Sequence, residues 1–174
     1  MKKSVLLLFF AGCVATGIFG IGRKIPMNRV NDLGQREGYW RDSVGGGFVY
    51  DLYYKGGKKD GLYKRFYRNK LFLFGEYTAD NISGTWYMFG DEGELRCTID
   101  SIELNKDSIY TGYCRIFCKY KCHSIDYYPS GAVKSEGYMV CDEEFEIEIW
   151  EIGEWKYYDE SGNLIKTKDY GDRR

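Results

Sequence analysis

The run Glu144-Phe145-Glu146-Ile147-Glu148-Ile149 alternates acidic and apolar residues without a break. A period of two predicts a strand with Phe145, Ile147 and Ile149 facing inward and three glutamates in water. The same pattern over Cys114–Cys122 puts Cys114, Ile116, Cys118, Tyr120 and Cys122 on one face of a strand, and Arg115, Phe117, Lys119 and Lys121 on the other. Further strands are predicted at Leu71–Tyr77 and Ala132–Tyr138. Each follows a turn or returns from one: Asp91-Glu92-Gly93, Ser130-Gly131 and Ser161-Gly162 each supply a glycine for positive φ, with an acidic or hydroxyl side chain beside it. Second turns at Lys55–Asp60 and Thr78–Asn81 lead into the next unit. The unit is therefore a strand, a turn and a returning strand.

These units repeat. Gly38, Gly61 and Gly84 are spaced by 23 residues, and each is followed two positions later by a large aromatic: Trp40, Tyr63 and Trp86. Phe66 and Phe89 stand five positions after the latter two glycines. Near the C-terminus Gly153–Leu164 matches Gly84–Leu95 without a gap, which places Trp155 and Tyr158 in the same positions. Cys122–Val133 keeps the aromatic at Tyr127 and the glycine at Gly131.

The residues Gly153–Leu164 and Lys134–Tyr138 resemble the MORN family, and more closely its bacterial variant, in which YYxxGxL segments alternate with KSEGxY segments. The likeness covers about residues 37–93 and 122–170. It implies an all-β fold: an elongated, mostly antiparallel sheet of successive β-hairpin repeats over residues 37–174, preceded by a linker at 23–36. Residues 97–121 depart from the period and read as an irregular insertion hairpin turning at Asn105-Lys106-Asp107. The resemblance brings no catalytic residue. Some bacterial relatives carry an antitoxin label, and eukaryotic ones often serve as membrane-proximal or partner-binding modules.

Residues 1–22 read as an address. Two lysines precede an uncharged stretch from Ser4 to Gly22, with Arg23 and Lys24 behind it, the layout of an export or anchoring segment. Phe10-Ala11-Gly12-Cys13 resembles a bacterial lipoprotein cleavage box, which would make Cys13 the lipidated residue. An uncleaved span from Ser4 to Gly22 competes with it, since at about 1.5 Å per residue it nearly crosses a ~30 Å hydrocarbon core. Both place the protein on the membrane of the bacterial cell envelope; cleavage near Ala15 or Gly17 would instead release it to the periplasm.

Composition narrows the chemistry. With 17 Tyr, 10 Phe, 4 Trp and 22 Gly beside 2 Pro, the chain favours strands and tight turns. The 25 Lys+Arg nearly balance 26 Asp+Glu, which argues against a nucleic-acid partner. The one histidine, His123, excludes multi-His metal sites. On a strand, cysteines four apart are about 13 Å from each other, too far for a shared disulfide or metal, so Cys114, Cys118 and Cys122 read as small apolar residues or as partners of Cys97 or Cys141 across strands. His123 points away from its neighbour Cys122, which leaves no nucleophile pair. Neither a cofactor nor a metal is expected.

The aromatics form two rows on opposite faces, Trp40, Tyr63, Trp86 and Trp155 on one and Phe66, Phe89, Tyr127 and Tyr158 on the other. Cross-strand stacking is their first role, and binding an extended partner, most simply another protein, is the second. The chain reads as a non-enzymatic, membrane-anchored binding or scaffolding protein of the envelope. The alternative is an immunity or antitoxin-type protein that neutralises a toxin by binding it.

Overall fold

A computed structural model describes residues 26–106, 118–142 and 149–171. The segment 1–22 with Cys13, the alternating residues 144–148, Asp107 and Cys114 lie outside them. Among the described residues the protein is all-β, one antiparallel sheet whose eleven strands lie side by side in chain order. They are β1 (Arg29–Val30), β2 (Arg36–Ser43), β3 (Phe48–Lys55), β4 (Lys58–Tyr67), β5 (Lys70–Thr78), β6 (Asn81–Phe89), β7 (Leu95–Leu104), β8 (Tyr120–Tyr127), β9 (Val133–Cys141), β10 (Trp150–Tyr158) and β11 (Leu164–Asp169). No helix among them is long and apolar enough to cross a membrane.

The repeat glycines are built into bends. Gly38, Gly61, Gly84 and Gly153 all have positive φ, between 60° and 124°. The pairing of β5 with β6 slips between Phe74 and Glu76, opposite Gly84, and that of β9 with β10 slips between Ile152 and Lys156, around Gly153. An extra residue at such a slip bends the strand and adds twist. Register shifts interrupt eight of the ten strand pairs. The twisted sheet packs one face upon itself: Leu52, Tyr63, Leu73, Tyr77, Trp86, Ile99, Cys122, Met139 and Trp155 form one buried cluster. Trp86 is 0% exposed.

A second device repeats at the turns. Residues 90–94, 128–132 and 159–163 share one hydrogen-bond pattern, in which the first residue donates its N–H to the carbonyl of the fifth and the glycine at position four donates back to the first. Gly93, Gly131 and Gly162 there have φ of 84°, 85° and 83°. Asn31–Gln35 makes the same two bonds, so the turn chemistry begins inside the stretch 23–36, and β1 pairs with β2 there. Asn28 closes this edge: its Nδ2 donates to the Arg41 carbonyl (3.1 Å), and its Oδ1 accepts from the Arg41 N–H (2.8 Å).

Because the strands run as a meander, connections alternate between the two ends of the sheet. Residues 44–47, 68–69, 90–94, 128–132 and 159–163 turn at one end. The two-residue turns 56–57 and 79–80 and the longer links 105–119 and 142–149 belong to the other. Residues 97–104 continue the sheet as part of β7, between β6 and β8, and residues 120–121 belong to β8, so these parts of the expected insertion are regular strand. Ile149, expected inward, stands just before β10, 45% exposed yet on the same cleft as Met139 and Trp155.

Candidate functional site

Strand pairing sorts the eight aromatics by face. Trp40 lies opposite Leu52, which is opposite Tyr63, so these are inward. Tyr63 lies opposite Gly75, over which Trp86 stacks. The rings touch in series: Trp40 meets Tyr54 edge-on at 5.9 Å, and Tyr63 lies 5.6 Å from Tyr77 and 5.5 Å from Trp86. Trp155 sits with Tyr157 and Tyr170 at the other end of the cluster. Tyr63, Trp86 and Trp155 are buried and Trp40 is half-buried. This row holds the sheet together through cross-strand ring contacts.

Of the second row, Phe66, Tyr127 and Tyr158 make their contacts on the outward face. Phe66 packs beside Arg41, whose guanidinium forms a bidentate pair with Asp51 at 2.6 and 2.9 Å. Tyr127 exchanges a hydroxyl contact with Thr98 at 3.1 Å, and Tyr158 donates to Glu136 at 2.5 Å. That bond to a carboxylate raises the Tyr158 hydroxyl pKa. These rings are half-buried rather than sealed.

Three of the eight aromatics, Phe89, Tyr127 and Trp155, come together around one cleft of about 580 Å³. Its floor is apolar, from Met88 and Ile99 through Met139 to Trp155, and its mouth carries charges of both signs: Asp91, Asp126 and Glu151 against Arg96 and Lys134. Met88 lies opposite Cys97, Cys97 opposite Asp126 and Asp126 opposite Ser135, so four neighbouring strands bring these side chains to the inward face. The Ser135 hydroxyl donates to the Asp126 carboxylate at 2.8 Å and fixes its position. Glu151 is inward because it pairs with Met139. Asp126, Glu151, Arg96 and Lys134 escaped sequence reasoning, for no local motif sets them apart and only the folded sheet gathers them.

The cleft is suited to binding. Its thiol, Cys97, is pushed up to about 12, first by burial and partly offset by the Ser124 hydroxyl at 3.2 Å. A thiolate nucleophile needs the opposite shift. His123 is on the far face, with Nδ1 3.5 Å from Asp100 and its ring against Tyr138, so the expected separation of His123 from Cys122 is what the fold has. The thiols of Cys97, Cys118, Cys122 and Cys141 are all buried. Cys122 and Tyr120 join the main cluster, but Cys118 packs with Val140 and Ile152 on the other side of the sheet. The expected common face fails there because β8 begins only at Tyr120. Among the described residues no three His, Cys, Asp or Glu side chains form a group able to hold a metal ion.

One further charge is inward. Arg65 is 6% exposed, its guanidinium 4.4 Å from the Phe48 ring, 5.2 Å from Tyr50 and 5.5 Å from Phe72. A planar cation with aromatic faces around it keeps electrostatic compensation when desolvated.

No model of a known protein family matches the chain, and no curated protein matches it.

Proposed function

We propose that the protein is a non-enzymatic binding module of the bacterial envelope, held at the membrane by residues 1–22, that takes up a segment of a partner protein in the inward cleft. The observation that carries the reading is the cleft itself: an apolar floor ending in Trp155 beneath a mouth that carries charges of both signs. Interfaces join a desolvated apolar and aromatic centre to a polar rim, and this cleft has that layout at the scale of a few side chains. The MORN-like hairpin repeats support a scaffold role, since a stack of similar units makes a surface without an active site. The signal-like segment supports the address.

The experiment is photocrosslinking in cells, with a crosslinking residue placed at Glu151, which register turns into the cleft, or at Tyr53, which is 47% exposed on the outward face. The expected result is one discrete adduct from position 151, lost when Met88→Arg fills the floor with charge, and none from position 53. Adducts from position 53 alone would move the binding surface to the outward face. Intact mass and membrane fractionation of wild type against Cys13→Ser test the address. A full-length soluble product would overturn membrane attachment and favour the toxin-neutralising alternative.

A further inference from the structure

Two sulfur atoms from neighbouring strands touch on the inward face. Cys122 of β8 is in register with Met139 of β9, and Tyr120 with Cys141, so Cys122 and Cys141 are diagonal neighbours. Their Sγ atoms are 3.6 Å apart, and both residues are 0% exposed. Of the other two described thiols, Cys97 Sγ meets the Ser124 hydroxyl at 3.2 Å, and Cys118 packs with Val140 and Ile152 on the opposite face.

We propose that Cys122 and Cys141 are a disulfide-forming pair, closing a covalent bond between β8 and β9 when the chain folds in contact with a small-molecule or protein disulfide. A disulfide needs its sulfurs about 2.05 Å apart and its Cβ atoms pointing at each other. The sulfurs, 3.6 Å apart, have a gap of about 1.5 Å left to close, and because diagonal neighbours on paired strands sit about 7–8 Å apart, closing it draws β8 and β9 together locally.

The step balances by thiol–disulfide exchange. The thiolate of one cysteine attacks a sulfur of the oxidant RSSR, an S–S bond to R forms, and RS⁻ leaves. The second cysteine's thiolate then attacks the first cysteine's Sγ, the Cys122–Cys141 bond forms, and the second RS⁻ leaves. The two thiol protons end on the two RSH released, so the protein loses two electrons and the oxidant gains them. Once β8 and β9 are packed, the reaction is closed off. The contact with Cys122 and then burial hold the Cys141 thiol in its protonated form, and no oxidant reaches a sulfur with no exposed surface. The bond is therefore made before packing and sheltered afterwards. It spans 19 residues of chain and adjoins the cleft floor, since Met139, the residue opposite Cys122, lines the cleft. The inference is independent of what the cleft binds.

The test is oxidative refolding of the full-length chain, reduced and denatured, into detergent with a mixture of oxidised and reduced glutathione, followed by thiol alkylation, mass measurement and peptide mapping. The expected product is about 2 Da lighter before alkylation, takes up two fewer alkyl groups, and gives one peptide pair joining residue 122 to residue 141. A Cys97→Ser, Cys118→Ser variant should keep the bridge, and Cys141→Ser should lose it. Reductant should lower the Tm of the bridged wild type and leave that of Cys141→Ser unmoved. Alkylation of every thiol after oxidative refolding, in the wild type or in the Cys97→Ser, Cys118→Ser variant, overturns the proposal. So does a bridge that maps to any other pair.

Discussion

The Trp86 indole lies flat over Gly75 of the preceding strand, so close that a Cβ on Gly75 would stand 2.1 Å from a ring carbon. Trp155 covers Gly137 in the same way, at 2.5 Å. The indole N–H of each donates to a main-chain carbonyl, Trp86 to Ser83 and Trp155 to Tyr138. The missing side chain in one strand is thus the seat for the largest side chain in the next.

Gly75→Ala should therefore lower stability by about 2–4 kcal/mol, because the ring is fully buried and has no room to retreat. Gly137→Ala should behave alike. Urea midpoints measure both, and an unchanged midpoint for either would mean the indole is not seated as described.

Gly84 and Gly153 fail differently. Nothing crowds a Cβ at Gly153, and only the Glu76 carboxylate, at 3.7 Å, approaches one at Gly84, yet their φ values are 65° and 60°. Valine at either site should cost about 1–3 kcal/mol through backbone strain alone, and asparagine, which tolerates this region, distinctly less. The converse holds at Ala79, whose φ is 49° in a two-residue turn: Ala79→Gly should raise stability by about 0.5 kcal/mol. Thermal or urea unfolding of the set reads all three, and equal effects for valine and asparagine at position 84 would refute the strain argument.

Arg65→Lys should destabilise by about 1–2 kcal/mol, although the charge is kept. A lysine ammonium is a strongly hydrated point charge and cannot lie flat among the rings of Phe48, Tyr50 and Phe72. A double-mutant cycle with Phe72→Leu checks it, and strict additivity would show that the cation and the ring do not interact.

Alkaline pH should loosen the fold through Cys97. Above about pH 9 the unfolded chain loses this thiol proton, while the folded chain keeps it up to about 12. The unfolded state then binds fewer protons, so stability falls with rising pH across that window, by at most about 1.4 kcal/mol per unit from this group, and is fully present below it. Cys97→Ala should be less stable than wild type near neutral pH yet show a shallower alkaline decline. Identical slopes would sink the assignment.

Much of this was legible in the chain because a glycine that must take positive φ and an indole that must be seated leave a fixed spacing behind them. The period of Gly38, Gly61 and Gly84 located the bends, and alternation separated Tyr63 from Phe66. What stayed hidden depends on contacts between strands. Arg65 reads as a solvent-facing charge until Phe48, Tyr50 and Phe72 are seen around it, and Asp126 joins Glu151 only through the register of β8 with β9 and of β9 with β10. The turn Asn31–Gln35 did carry a signal, for Asn31 Oδ1 accepts from the Leu33 and Gln35 N–H groups as Asp159 Oδ1 does from Ser161 and Asn163. A search for Asx-x-x-Gly would have found it.

The alternation of connections between the two ends of the sheet leaves only short turns at one margin and both long links at the other. The turns at 90–94 and 128–132, beside the cleft mouth, are five residues each and locked by one hydrogen-bond pattern. The long links after β7 and β9 both leave from the opposite margin. The exposed two-residue turns at 56–57 and 79–80 share that opposite margin and take no part in the cleft lining, which makes them the natural entry points for a fluorescent label, an epitope or a surface-coupling tag.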